Sequence, residues 1–303
     1  MIDGLIAVWK EQDFTSHDVV AKLRGILHQK KIGHTGTLDP KAEGVLLVGL
    51  GIGTRVCDLL PDKTKIYEAE ITLGTATDTE DIWGTIEREE SVDVAEDAFR
   101  EAILSFKGTY MQTPPMYSAK KINGQKLYDL ARQGKVVERQ AVPVTIHEIS
   151  VHSVAGTKAV FTVECSQGTY IRTLCVDIGK KLGVPACMSR LTRVSAGGFG
   201  KEQALTLSQI EQVRDEGRVS EYVIPVDQAL GMYPALTVSE SYTKPLLNGN
   251  AFVPRALNAF WKAQEGLYRV YLEDGTFIGV YEWSAERRLF VPYKIFYRTG
   301  GSQ

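Results

Sequence analysis

Residues 33–44 read GHTGTLDPKAEG, and the seven residues that follow, VLLVGLG, are almost wholly apolar. One carboxylate, Asp39, therefore sits in the middle of a glycine-studded loop just before a buried strand. Three readings compete: an Asp-Pro turn feeding the strand, a phosphate cradle, and a catalytic acid. A phosphate-binding loop of the GxxxxGK[ST] type needs lysine and a hydroxyl after its last glycine, and here Val45 and Leu46 follow Gly44. Taken alone, the twelve residues leave the turn and the acid in competition, so the rest of the chain has to decide.

Working outward, IDGLIAVWK reads as a first strand, followed by a helix opening at Thr15 or Ser16 with Val19, Val20, Leu23, Ile26 and Leu27 at helical spacing. VLLVGLG (45–51) reads as a short buried strand. IYEAEITLG (66–74) alternates, with Tyr67, Ala69, Ile71 and Leu73 on one face and Glu68, Glu70 and Thr72 on the other. The acidic stretch beyond it holds a helix whose predicted buried stripe is Ala95, Ala98, Phe99, Ala102, Ile103 and Phe106. TPPMYSAKKINGQKLYDLARQG is a proline-rich loop leading into a short helix that Gly134 can end. Strands are expected near 142–152 and 159–165, then a helix from about Thr169 to Leu182 capped by Gly183, and another from Thr206. After Pro234, YRVYLEDGTFIGVYEW signals a hairpin around Asp274-Gly275, with RRLFVPYKIF beside it. Helices and strands interleave without a βαβ period. The expectation is an α+β fold, a mixed, largely antiparallel sheet flanked by helices over 1–235, followed by a small β-rich domain over 236–303.

At 44% hydrophobic and 24% charged residues the chain is ordinary for a globular protein with a sizeable core. Asp3 interrupts the first apolar run and no basic leader precedes it, so neither a signal peptide nor a membrane span is expected, and the location expected is cytoplasmic. Cys57, Cys165, Cys175 and Cys187 are scattered with no CxxC pair, which predicts reduced core thiols. No metal constellation is expected: HExxH is absent, and ATDTEDIWG places Ile82 and Trp83 where a calcium loop needs an oxygen ligand and glycine. The formal charge is only −2, yet it is unevenly spread. Asp78 to Glu101 holds ten acidic residues against two arginines. Lys107 to Lys135 holds six basic residues against one acidic, and Lys22–Lys41 and Arg172–Arg193 each hold five against one. Such a chain can turn a positive face to a polyanion while staying neutral overall.

GHTGTLDPKAEGVL closely resembles the motif that bears the catalytic aspartate of pseudouridine synthases of the TruB type, bacterial enzymes that isomerise uridine 55 in the T-loop of tRNA. Further stretches resemble that family in the same order: DGLIAVWKEQDFTSHDVVAKLR, KIYEAEITLGTATDTED, TPPMYSAKKINGQKLYDLARQG, CSQGTYIRTLCVDIGKKLG and MSRLTRVSAGGF. Together they cover most of residues 1–200. One position departs: the family usually carries Lys-Pro in its first motif, where here Lys10 is followed by Glu11. After Pro234 the resemblance is weak; the family often ends in a small RNA-binding β-domain of the PUA type.

The resemblance implies the pseudouridine synthase fold, a tRNA partner bound through its T-arm and elbow, and chemistry that needs no cofactor. The bond between ribose C1′ and N1 breaks, the uracil turns, and C5 takes the place of N1, with no change of oxidation state. Asp39 is the implied catalytic carboxylate, with attack on the sugar, attack on the ring and removal of a ribose proton all open to it. A carboxylate in an apolar pocket needs a cation to stay charged, and Arg172 in GTYIRT matches the family arginine that pairs with it. Tyr67 is implied to stack on the target base and to help remove the C5 proton. Leu191 matches an apolar residue of the uracil pocket, and Tyr170 and Ile171 help shape it. A base inside a folded loop must leave its stack to react, and the family uses the histidine matching His34 to occupy the gap. Tyr117, Lys120, Lys121 and Lys126 are expected to meet the RNA backbone, where phosphate contacts supply salt-dependent affinity. A monomer without an obligate protein partner is expected, with a possible second role in tRNA folding. Two other readings compete: an RNA-binding protein that kept the fold but not the chemistry, and a synthase subunit directed by a guide RNA.

Overall fold

The computed structural model describes residues 1–56, 58–60, 64–118, 120–122 and 124–297; Cys57 and the side chains of Lys121, Ile122 and Lys126 lie outside that description. By contacts the chain forms two units, one of Ile6–Val48 and Asp62–Val219, the other of Met1–Leu5, Gly49–Pro61 and Ser220–Gln303.

The larger unit is built on strands β1 (Gly4–Lys10), β2 (Ile32–His34), β3 (Glu43–Leu50), β4 (Lys65–Leu73), β5 (Thr75–Thr77), β6 (Ile86–Glu89), β7 (Gly108–Gln112), β8 (Lys121–Ile122), β9 (Gln125–Lys126), β10 (Val142–Ala155), β11 (Lys158–Cys165), β12 (Ala186–Ala196) and β13 (Phe199–Gly200). Its helices are α1 (Ser16–Ile26), α2 (Glu96–Leu104), α3 (Leu127–Arg132), α4 (Ile171–Leu182) and α5 (Leu207–Asp215). Among the described residues a nine-stranded sheet runs in the order β1-β3-β12-β4-β11-β10-β7, with β2 on β3 and β13 on β12. The pairs β12/β4, β4/β11, β11/β10 and β10/β7 are antiparallel, while β12 and β3 run parallel. The fold is thus the mixed, largely antiparallel α+β type that the interleaved pattern predicts. Helix α4 packs on β12 and α2 on β10, over a core that includes Phe99, Phe161, Ile71 and Leu174. Among the described residues no helix is long and apolar enough to cross a membrane.

Local signals hold well. Thr15 caps α1 through a reciprocal box with Asp18, and Thr206 caps α5 in the same way with Gln209. Gly183 closes α4 at φ 77°, the left-handed conformation that a helix stop favours. Along β4, Tyr67, Ala69, Ile71 and Leu73 are buried, as their alternation predicts. The stripe assigned to α2 is too wide. Ala95 is the cap residue outside the helix and Ala98 faces solvent, so the buried face is Phe99, Ala102 and Ile103 with Phe106 half-buried. The largest omission is β12, which the sequence reading leaves without a strand. Its pairing with β4 shifts register between Met188 and Arg190 and again between Arg193 and Ser195, and an arginine occupies a buried position. Both features erase the apolar alternation by which a strand is recognised.

The second unit carries β14 (Ala235–Val238), β15 (Leu267–Leu272), β16 (Phe277–Ser284) and β17 (Leu289–Ile295), joined in that order. The β15–β16 connection turns at Asp274-Gly275, with Gly275 at φ 84°. Phe252, Phe290, Tyr281 and Val270 fill its core, with the Trp261 and Trp283 rings edge-to-face 4.6 Å apart beside them.

The loop ahead of β3 is held from two directions. At the end of β1 the Lys10 side chain is fully buried, and its ammonium donates to the carbonyls of Glu11 (3.0 Å), Phe14 (2.7 Å) and Pro40 (3.1 Å). Glu11, where the resembling family has proline, thus offers its carbonyl to the lysine beside it. At the start of α1, Ser16 exchanges hydrogen bonds with the Leu38 backbone, accepting from its N–H at 2.9 Å and donating to its carbonyl at 3.2 Å. On the β3 side, Gly44 at φ 117° lies so close to β12 that a Cβ would run into the Arg193 backbone. Only glycine fits there.

Two outcomes follow for stability. Gly44→Ala should lose at least ~2 kcal/mol, from backbone strain and from separation of β3 and β12, read as a lower urea midpoint with unchanged slope. Burial lowers the Lys10 ammonium from its usual range to about 8, only partly offset by Asp39. Between pH 8 and the unfolded lysine value the unfolded chain holds the extra proton, so raising the pH favours the folded state. Urea midpoints of wild type should therefore rise relative to Lys10→Met from pH 8 to 10, and parallel curves would refute this.

Candidate active site

Three separated segments build the site around Asp39. The first is the loop itself. Thr35 donates its N–H to Leu47 and Ala42 its N–H to Asp39, so the chain folds over tightly and leaves the Asp39 side chain 36% exposed. The second is the first turn of α4. Its N-terminus is seated by Gln112, whose amide donates to the Tyr170 carbonyl (3.0 Å) and accepts the Tyr170 N–H (2.8 Å). Arg172 follows, 5% exposed, with Nε 2.8 Å from Asp39 Oδ2 and Nη2 3.4 Å from Oδ1. This is a forked pair, the geometry that guanidinium and carboxylate share. Two backbone carbonyls hold it as well: Nη1 reaches that of Thr79 at 2.7 Å and Nη2 that of Tyr117 at 2.8 Å. A buried cation gripped by two carbonyls and a carboxylate is fixed in place, and it fixes the carboxylate.

The third segment is the sheet. Tyr67 on β4 stands between Val163 on β11 and Arg193 on β12, and is buried. Burial pushes its phenol above the usual value, and the Arg193 guanidinium beside it pulls the other way. The phenol is therefore protonated at neutral pH and available as a donor. Tyr67, Ile171 and Leu191 belong to one buried cluster with Leu38 and Ala42, which flank Asp39. The apolar cluster thus adjoins the loop that carries the ion pair.

His34 ends β2 half-buried, its ring edge-on to His17 with centroids 5.4 Å apart. Its Nδ1 is buried without a hydrogen-bond partner. Burial first, then the His17 and Arg193 charges, lower its basicity, so the ring is neutral at pH 7. Lys120 is half-buried, its carbonyl accepting from Leu127, and the Lys121 side chain lies outside the described residues.

The sequence reading passes over several neighbours that the fold brings in. The β5–β6 hairpin is pinned to β12, with Met188 N–H to the Glu80 carbonyl and Ile82 N–H to the Met188 carbonyl. Glu80 accepts from the Thr173 hydroxyl at 2.5 Å, and burial raises its carboxyl above the usual range. Asp81 accepts from Thr79 (2.8 Å) and is likewise raised by burial, with the Arg172 charge pulling it down and Asp39 pushing it up. The TDTED run that carries these two acids stood out in the sequence as part of a family-like stretch and as a failed calcium loop, with no role for either acid. Among the described residues no group of three or more His, Cys, Asp or Glu side chains could hold a metal ion. Cys165, Cys175 and Cys187 are buried free thiols.

Residues 24–171 match the model for the TruB family pseudouridylate synthase N-terminal domain, and residues 172–231 match that for the tRNA pseudouridylate synthase B C-terminal domain. The chain is 42% identical to the tRNA pseudouridine synthase B of Bacillus pumilus, over 97% of this chain and 98% of that protein. It is 45% identical to the one from Lachnoclostridium phytofermentans, over 97% and 100% respectively. Among solved structures it resembles a chain of a Cbf5-Nop10-Gar1 complex, with a TM-score of 0.72 and 28% identity over 97% of this chain and 84% of that one. With matches running the length of the molecule and through all three segments of the site, the chain belongs to the TruB family of pseudouridylate synthases.

Proposed function

We propose that this protein converts uridine 55 in the T-loop of tRNA to pseudouridine, with Asp39 as the essential carboxylate. The observation that carries the reading is the forked Arg172–Asp39 pair, half open to solvent on the carboxylate side and closed on the arginine side. A carboxylate held that way is oriented by its partner, yet still reachable by a substrate. The names of the relatives from Bacillus pumilus and Lachnoclostridium phytofermentans support tRNA as the substrate.

In this mechanism the target uridine leaves its stack and enters the pocket, while His34 occupies the space it vacates. Tyr67 stacks on the uracil, and Leu191, Ile171 and Tyr170 enclose it. Asp39 serves the step in which the C1′–N1 bond breaks. The detached uracil turns, C1′ bonds to C5, the proton on C5 is lost with Tyr67 assisting, and N1 gains a proton. Atoms and electrons balance without a donor or an oxidant. Lys120, Lys121 and the basic segments around them meet backbone phosphates of the T-arm and elbow. The chain divides functionally into a catalytic part over 1–235 and a PUA-like RNA-binding part over 236–303. It acts in the cytoplasm as a monomer without an obligate protein partner, and opening the elbow to reach uridine 55 lets it assist tRNA folding. A guide-directed role is less well supported, because identity to the Cbf5-complex chain is 28% whereas it is 42% and 45% to the tRNA enzymes.

The test uses a tRNA transcript tritiated at C5 of its uridines. Wild type should release tritium from one site, located by sequencing at position 55. Asp39→Asn should lower the rate by more than about 1000-fold while binding the transcript within about 3-fold of wild type. Absence of release from folded, tRNA-bound wild type would favour a binding role without chemistry. Arg172→Lys keeps the charge but cannot reach Asp39, Thr79 and Tyr117 together. It should cost about 100-fold in single-turnover rate, and a variant as fast as wild type would refute the importance of the fork.

A further inference from the structure

Among the described residues Arg193 is the one fully buried arginine that the mechanism above leaves without a task, at 1% exposure. It stands in β12 with Tyr67 of β4 on one side and Gly44 of β3 on the other. Its Nε donates to the Val45 carbonyl at 2.7 Å, Nη1 to that of Thr37 and Nη2 to that of Gly36, both at 3.3 Å. The guanidinium also lies beside Tyr67, its partner across the β12/β4 ladder, and its charge opposes the rise that burial gives the phenol. Among the described residues it has no ion-pair partner. Burying a guanidinium against neutral carbonyls is costly, and an apolar side chain of similar volume would serve the sheet at least as well. The arginine instead directs its planar fork to the two backbone carbonyls just ahead of Leu38 and Asp39, beside the buried Tyr67.

We propose that Arg193 is a positioning residue for the isomerisation, holding the Asp39 loop and the Tyr67 phenol in one rigid frame. This rests on the function proposed above. The reaction needs a carboxylate at the glycosidic bond and a phenol near C5 of the same detached base, and these groups come from different strands. No hydrogen bond joins Asp39 to Tyr67 directly among the described residues. Arg193 touches both halves: the strand β3 that the loop enters, through Val45 and the carbonyls of Gly36 and Thr37, and the Tyr67 ring across the β12/β4 ladder. Its fork geometry matters because a planar guanidinium fixes the direction of each carbonyl it meets, where an ammonium on a flexible stem does not.

The experiment compares full-length wild type, Arg193→Lys and Arg193→Met on the C5-tritiated transcript, with enzyme in excess, and measures transcript affinity by filter binding. Arg193→Lys keeps the buried charge and should unfold cooperatively and bind the transcript within about 2-fold of wild type. It should release tritium at least ~10-fold more slowly, because small misplacements of reacting groups cost rate rather than affinity. Arg193→Met should be slower still; should it fail to fold, the lysine variant decides alone. A lysine variant within about 2-fold of the wild-type rate, a loss residing wholly in affinity, or a lysine variant that does not fold would each overturn the proposal, the last by making Arg193 a support of the fold only. No release from wild type would instead sink the function on which the proposal stands.

Discussion

Three cations hold one loop, and the site depends on that restraint. Arg172 grips the Asp39 carboxylate itself, Lys10 binds the Pro40 carbonyl beside it, and Arg193 binds the Gly36 and Thr37 carbonyls ahead of it. Each is buried, and each has exchanged water for backbone carbonyls, an arrangement that is costly unless every donor is used. A loop of glycines and a proline would otherwise sample many conformations. The restraint converts a flexible turn into a carboxylate with a defined direction.

The sheet makes this possible by bringing distant segments to neighbouring strands. β12 lies between β3 and β4, so a single strand presents Leu191 to the apolar wall and Arg193 to both the loop and Tyr67. α4, packed on the same strand, delivers Arg172 from its first turn. The bulges in β12 are part of this design, since each register shift re-aims the side chains beyond it. The acidic β5–β6 hairpin, pinned to β12 at Met188, closes the side of the site where Arg172 binds Thr79.

Much of this was legible in the sequence. The Thr15 and Thr206 caps, the Gly183 stop and the alternation of Tyr67 to Leu73 are signals spread over a few residues, and short-range geometry enforces them. The candidate residues Asp39, Arg172, Tyr67 and Leu191 were reached through extended motifs, because composition alone left Asp39 as a plausible turn residue. Lys10 and Arg193 were passed over as active-site supports. A lysine or arginine in a sequence reads as surface, and the carbonyls that make it tolerable inside belong to residues far along the chain. Glu80 and Asp81 were hidden for a related reason: a run of acids reads as a solvated face until its burial is known.

What the sequence determined by itself was the inventory: an α+β chain, where most helices and strands lie, and which groups could do chemistry. Those properties depend on spacing within about one turn or a few strand residues. Only the tertiary structure decided which of those groups meet. Arg172 and Asp39 are 133 positions apart, and Arg193 lies 156 and 157 positions from the carbonyls of Thr37 and Gly36. Their meeting is set by strand order, by the parallel β3/β12 contact that Gly44 permits, and by bulges that no local pattern announces. Long polar side chains then find partners according to where the backbone has been placed, and that placement is a property of the whole sheet.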